Sequence, residues 1–158
     1  MFLKHLVLGL VFGISLSFIS WVVAIIVNSI FMKTKYYKKL SNLNFIPGKT
    51  LNQKIGINHF RWIVKNTFFK FFNPNIKVNH KQTDLNELRN QMTYSEISHL
   101  IGFIFVATFA IYFTFKVSLV YGLSIMIANI FMNLYPSLLQ QENKRRIDRF
   151  IKRQIKTP

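Results

Sequence analysis

The fold turns on residues 93–146, which read Thr93-Tyr-Ser-Glu96-Ile-Ser-His99, two uncharged apolar runs at 100–115 and 117–139 parted by Lys116 alone, and then Gln140-Gln-Glu-Asn143-Lys-Arg-Arg146. A helix rising about 1.5 Å per residue needs roughly 20 apolar residues to cross a bilayer, so each run spans with its flanks. The short link between them makes the pair a tight antiparallel hairpin. Counted outward from that turn, His99 and Asn133 lie equally far along their helices, and Glu96 falls level with Pro136. An acid, an imidazole, a carboxamide and a helix-breaking proline are therefore expected at one membrane face.

Upstream, a further apolar run at 6–32 lacks the short apolar core and small-residue cleavage site of a removed signal, and reads as a retained first span. The chain is thus expected to be an all-α integral membrane protein. About three transmembrane helices and one interfacial or re-entrant amphipathic helix would form a single membrane domain over 1–158. The spans fall at 1–32, 97–116 and 117–141, with a basic loop at 33–95 and a basic tail at 142–158. Gly9, Gly13 and Ser17 recur every four residues, a face that suits close packing inside the molecule or a homo-oligomer.

Charge sets the orientation. The 158 residues carry a formal charge of +16, with 21 basic against five acidic side chains. Twelve of the basic residues lie between Lys33 and Arg89 and seven between Lys144 and Lys156, so nearly all flank one membrane face. That is the positive-inside pattern, with attraction to anionic membrane lipid. It places loop and tail in the cytoplasm and argues against a nucleic-acid partner, which would need no membrane-length runs. Within the loop, 59–72 puts Phe60, Val64, Phe68, Phe71 and Phe72 on one side and Arg61, Lys65, Asn66 and Lys70 mostly on the other. This arrangement suits a helix lying in the interface. The tail, apolar at Ile147, Phe150, Ile151 and Ile155, is expected along the same interface.

The absence of cysteine excludes disulfides and thiolate chemistry. Glu96 and His99, three residues apart, share a helix face. Such a pair can work as general acid and base, the carboxylate orienting the ring and raising its basicity. The same letters have a plainer reading, because Thr93-x-x-Glu96 before an apolar run is also a capping box. Asn129, Asn133, Pro136 and Gln140 form a polar stripe on the third span, and Pro136, with no N–H for Met132, should kink the helix there. One Glu-x-x-His supplies only half of a di-metal site, so no metal centre is expected.

At these residues the chain resembles the glycosyl-4,4'-diaponeurosporenoate acyltransferase family of small bacterial membrane proteins. That family carries Ala-Glu-x-x-His-Trp before a membrane run, a later Asn, and a Gln-Arg-Tyr-Asn-Arg-x-Arg tail. The matching positions are Glu96, His99, Asn133, Gln140, Asn143 and Arg146, and the resemblance covers the chain from Ile57 onward. Leu100 stands where the family has Trp, and Gln141-Glu142 where it has Arg-Tyr. The resemblance implies an acyltransferase of the bacterial cell membrane with Glu96 and His99 catalytic and Asn133, Gln140, Asn143 and Arg146 binding substrate. It implies no bound cofactor, acyl-CoA or acyl carrier protein as donor, and a lipid-soluble glycosylated acceptor. Arg145 and Arg146 suit a phosphate or carboxylate of either substrate. The charge layout alone would equally fit a non-enzymatic membrane subunit that binds anionic lipid or a larger partner.

The orientation is testable. In intact cells, Lys116→Cys should label with an impermeant thiol reagent and Lys49→Cys should not. The reverse pattern would place the cluster around Glu96 and His99 on the outer face.

Overall fold

A computed structural model describes residues 1–43, 45, 54–67 and 84–156. Three of its helical segments are long and apolar enough to cross a membrane, and no strand occurs among the described residues. In lipid each backbone N–H and C=O must be satisfied within its own helix, which is why the apolar runs are unbroken helices. The first span is α1 (Phe2–Phe31), followed by the short α2 (Tyr37–Leu40) and by α3 (Ile57–Asn66). The second is α4 (Leu85–Lys116). The third begins as α5 (Leu119–Asn129), passes through a π-helical turn (Ile130–Leu134) and continues as α6 (Tyr135–Lys156).

The true start of α4 overturns one expectation. Asp84 caps the helix, its carboxylate accepting from the backbone N–H of Asn86 at 2.8 Å and of Glu87 at 3.4 Å. Thr93 and Glu96 lie well inside α4, and the Thr93 hydroxyl donates back to the Arg89 carbonyl at 3.0 Å. No open helix end remains there, so they form no capping box. At 32 residues α4 is about 48 Å long, well beyond the roughly 30 Å of hydrocarbon, so its first turns stand clear of the bilayer on the basic side.

The tail is also corrected. It does not lie along the interface as a separate element but prolongs the third span, and Ile147 and Ile151 pack on Leu85, Leu88 and Met92 of α4. Arg89 and Asp148 join the same two helices at 2.6 Å. Phe150 is left exposed. The two helices thus run on together past the membrane as a paired stalk.

At the opposite end the hairpin is as tight as the sequence requires. Ser118 caps α5 by accepting from the Tyr121 N–H at 3.2 Å, and its hydroxyl meets His5 Nδ1 at 2.8 Å, fixing the start of α1 to the turn. Between these ends the bundle is filled by Leu16, Val106, Ala110 and Ile125, with Phe12, Phe105, Phe109 and Phe113 around them. Val11, Val22, Ile104 and Ile111 face outward and are exposed, as lipid-facing positions are in a membrane bundle.

The Gly9/Gly13/Ser17 stripe packs within the molecule. A Cβ on Gly9 would stand 2.7 Å from Ser124 Cβ, and one on Gly13 would stand 2.9 Å from Ala128 Cβ and from Ile125 Cα. A second copy would have to use another face. At Pro136 the expected disturbance takes the form of the π turn. Proline has no N–H to send to Met132, and the wider turn accommodates that loss without breaking the helix.

The interfacial helix is shorter than its pattern suggested. α3 ends at Asn66 because Thr67 is extended, at φ −119° and ψ −176°. Phe68, Phe71 and Phe72 lie outside the described residues. Its apolar side, Ile57, Phe60 and Val64, rests on Leu138, Leu139 and Tyr135 of α6. Arg61 pairs with Glu142 at 2.7 Å.

Gly13→Leu should lower the unfolding free energy by about 1–3 kcal/mol, the usual scale for overpacking, and reduce the yield of monodisperse protein in detergent. Val11→Leu, on the outer face, should leave both unchanged.

Candidate active site

A cavity of about 460 Å³ opens on the basic side, lined by residues of α3 and of all three spans. Its walls are mostly apolar, with Trp21 and Ile25 from α1, Val64 from α3 and Met132 from the π turn among them. A few polar groups enter it from α4 and α6, chiefly Ser98, His99 and Gln140. Apolar walls with a few convergent polar groups are the usual form of a small-molecule site.

His99 is held edge-on against the Trp21 ring, with centroids 6.3 Å apart and planes at 88°. Its Nδ1 is buried and makes no hydrogen bond of proper geometry among the described residues. Asn133 stands next to the ring, as the register across the hairpin requires. The Oδ1 of Asn133 is likewise buried and unbonded. The close approach depends on Gly102, one turn beyond His99, since a Cβ there would come within 2.8 Å of Asn133 Oδ1 and 3.0 Å of Ser20 Oγ.

Glu96 is fully buried but turned away from this cavity. Its carboxylate accepts from Gln141 Nε2 at 2.8 Å and pairs with the Lys144 ammonium. Lys144 is itself only 3% exposed and also donates to the Ser41 carbonyl at 2.9 Å. Gln141 Oε1 accepts from the Phe45 N–H at 3.1 Å. Glu96 and His99 were expected to work as an acid–base pair from one helix face; among the described residues no hydrogen bond joins them. The two side chains serve different neighbourhoods of one helix.

The remaining candidates fall at graded distances from the ring. Asn133 adjoins His99, and Gln140 lines the cavity. Asn143 donates to Gln140 Oε1 at 3.3 Å and so touches the site through it. Arg146 is exposed on α6 and does not line the cavity. Three participants went unread in the sequence: Gln141 and Lys144, which hold Glu96, and Ser20, whose hydroxyl lies 3.4 Å from Asn133 Nδ2. A lone carboxylate inside a membrane helix was a signal that a cation must be near.

A second polar link joins α1 to α4. Asn28 Nδ2 donates to the Tyr94 carbonyl at 2.9 Å and to Ser98 Oγ at 2.8 Å. Tyr37 of α2 lies over it, and burial raises its hydroxyl above the ordinary tyrosine value, so it stays a neutral phenol. Among the described residues no group of three or more His, Asp or Glu could hold a metal ion.

Compared with known proteins, residues 33–153 match a family model described as glycosyl-4,4'-diaponeurosporenoate acyltransferase. No curated protein and no solved structure matches the chain.

The buried ion pair makes a stability prediction. Glu96→Gln strands the Lys144 charge out of water and should destabilise the protein by about 3–5 kcal/mol, read as lost thermal stability in detergent. Lys144→Met added to Glu96→Gln should recover most of that loss. Equal stability of all three proteins would mean that the pair is not sealed from solvent.

Proposed function

Because the chain belongs to the glycosyl-4,4'-diaponeurosporenoate acyltransferase family and is an acyltransferase, we propose that it acylates a sugar hydroxyl of a glycosylated carotenoid or related glycolipid in the bacterial cell membrane. The acyl group comes from a carrier thioester, acyl-CoA or acyl carrier protein, and His99 is the general base. The observation that carries this reading is the position of His99, a titratable ring in the wall of a largely apolar cavity at the basic end of the spans.

The chemistry needs no enzyme nucleophile. As the sugar oxygen attacks the thioester carbonyl carbon, His99 takes the hydroxyl proton and the C–O bond forms. The tetrahedral intermediate then collapses, the C–S bond breaks, and the proton passes from the imidazolium to the departing thiolate. Ester and free carrier thiol result, with the imidazole restored. Both substrates have long apolar parts that reside in lipid while their polar ends meet at the basic face. Holding those ends in one cavity supplies the proximity that a bimolecular reaction in the membrane lacks.

Gln140 and Asn143, joined by their own hydrogen bond, are suited to the sugar hydroxyls. Arg146, exposed beyond them, is suited to a phosphate on the donor. Glu96 acts at one remove in this reading. Its ion pair with Lys144 holds α6 against α4, and α6 in turn presents Gln140.

His99→Ala, in membranes given a labelled acyl donor and a glycosylated carotenoid acceptor, should lower the transfer rate by about 100-fold or more with insertion unchanged. Full activity in the folded variant would sink the assignment of the base.

A further inference from the structure

Asn133 sits where all three spans meet, and its surroundings leave its carboxamide one orientation. The Phe103 carbonyl can only accept, and Asn129 Nδ2 lies 2.9 Å from it. The other end of that amide, Asn129 Oδ1, is therefore an acceptor, and it takes Asn133 Nδ2 at 2.9 Å. Ser20 imposes the same choice independently. Its hydroxyl proton goes to the Ser17 carbonyl at 2.7 Å, which leaves the oxygen to accept from Asn133 Nδ2 at 3.4 Å. With both neighbours of its nitrogen end acceptors, Asn133 must direct Oδ1 the other way, into the space that Gly102 leaves open beside His99. Asn133 Oδ1 and His99 Nδ1 are both buried and otherwise unbonded. An oxygen that can only accept demands a donor, and a buried polar group left without its partner is costly.

We propose that Asn129 and Ser20 lock Asn133 so that its Oδ1 holds His99 in the tautomer protonated at Nδ1, leaving the lone pair on Nε2. Asn133 and Asn129 are then positioning residues, not substrate ligands. The inference deepens the reading of His99 as general base and rests on it for its role in the reaction, but the tautomer itself is a property of the resting protein. The base would be poised by neutral dipoles alone: a carbonyl on α4, two carboxamides on the third span and a hydroxyl on α1.

The test is spectroscopic. In the full chain, labelled with 15N-histidine and held in lipid nanodiscs, the His99 signals are assigned by their loss in His99→Asn. At a pH where the ring is neutral, the unprotonated nitrogen should correlate with both ring C–H protons, the mark of Nε2. Correlation with one alone would put the lone pair on Nδ1 and overturn the proposal without any variant of the relay. Asn133→Ala should shift the population toward the other tautomer and cut kcat by about tenfold or more with KM within about twofold. Asn129→Ala combined with Ser20→Ala should give a mixture, because the Asn133 amide is then free to turn over. An unchanged spectrum in Asn133→Ala would also overturn the proposal. If instead the tautomer is as expected and His99→Ala transfers acyl groups at the full rate, the general-base reading fails while the relay stands.

Discussion

A carboxylate taken out of water where the second span leaves the membrane dictates what surrounds it. Removing an ion from water costs several kcal/mol even after the protein relaxes, so Glu96 must be met by a cation and by donors for its remaining lone pairs. Lys144 and Gln141 meet it, and each is held in turn by the backbone of the segment after α2, at Ser41 and Phe45. One buried charge thereby ties α4, α6 and the first part of the basic loop into a unit. The cavity depends on that unit, because α6 carries Pro136, Leu139 and Gln140 of its wall.

The bundle was legible because the bilayer permits so little. Three uncharged runs of sufficient length, one of them joined to the next through Lys116, leave few alternatives to a helical hairpin packed on a third helix. The juxtaposition of His99 and Asn133 followed from counting outward from the turn, since the two residues stand at equal depth. Glu96 escaped the same count because side chains lean toward the N-terminus of their own helix. In antiparallel helices the lean is opposite, so Glu96 inclines out of the membrane and Lys144 inclines into it. Two long side chains then meet between levels that a count of Cα positions keeps apart. The capping box failed for another reason: Asp84, nine residues before Thr93, had already supplied the cap. The tail was misplaced because a stripe of Ile147 and Ile151 looks alike whether lipid or a neighbouring helix covers it.

The two polar systems of the site differ in kind. Around Glu96 the groups are ionic, buried and turned away from the cavity. Around His99 the described groups are carboxamides, hydroxyls and carbonyls, each of them neutral. The division has a physical sense inside a membrane, where a formal charge beside the reacting atoms would bind polar ends of substrate tightly before the reaction as well as during it. Neutral dipoles held rigid can support a charge that develops on the ring without reorganising when it appears.

The π turn at 130–134 has a consequence for the length of the chain itself. Such a turn holds one residue more than an α-helix of the same register. Each residue of an α-helix advances the helix by about 100°, so the turn sets the whole of α6 at a different angle from the one α5 would have given it. Deleting a single residue there would give a smoother helix of almost the same hydrophobic length. It would leave Gln140 at the cavity and Gln141 and Lys144 beside Glu96, whereas straightening the turn with every residue kept would swing all three round the axis by about 100°. For this span, then, composition and length are not enough; the wider winding of the residues between Asn129 and Tyr135 is part of the site.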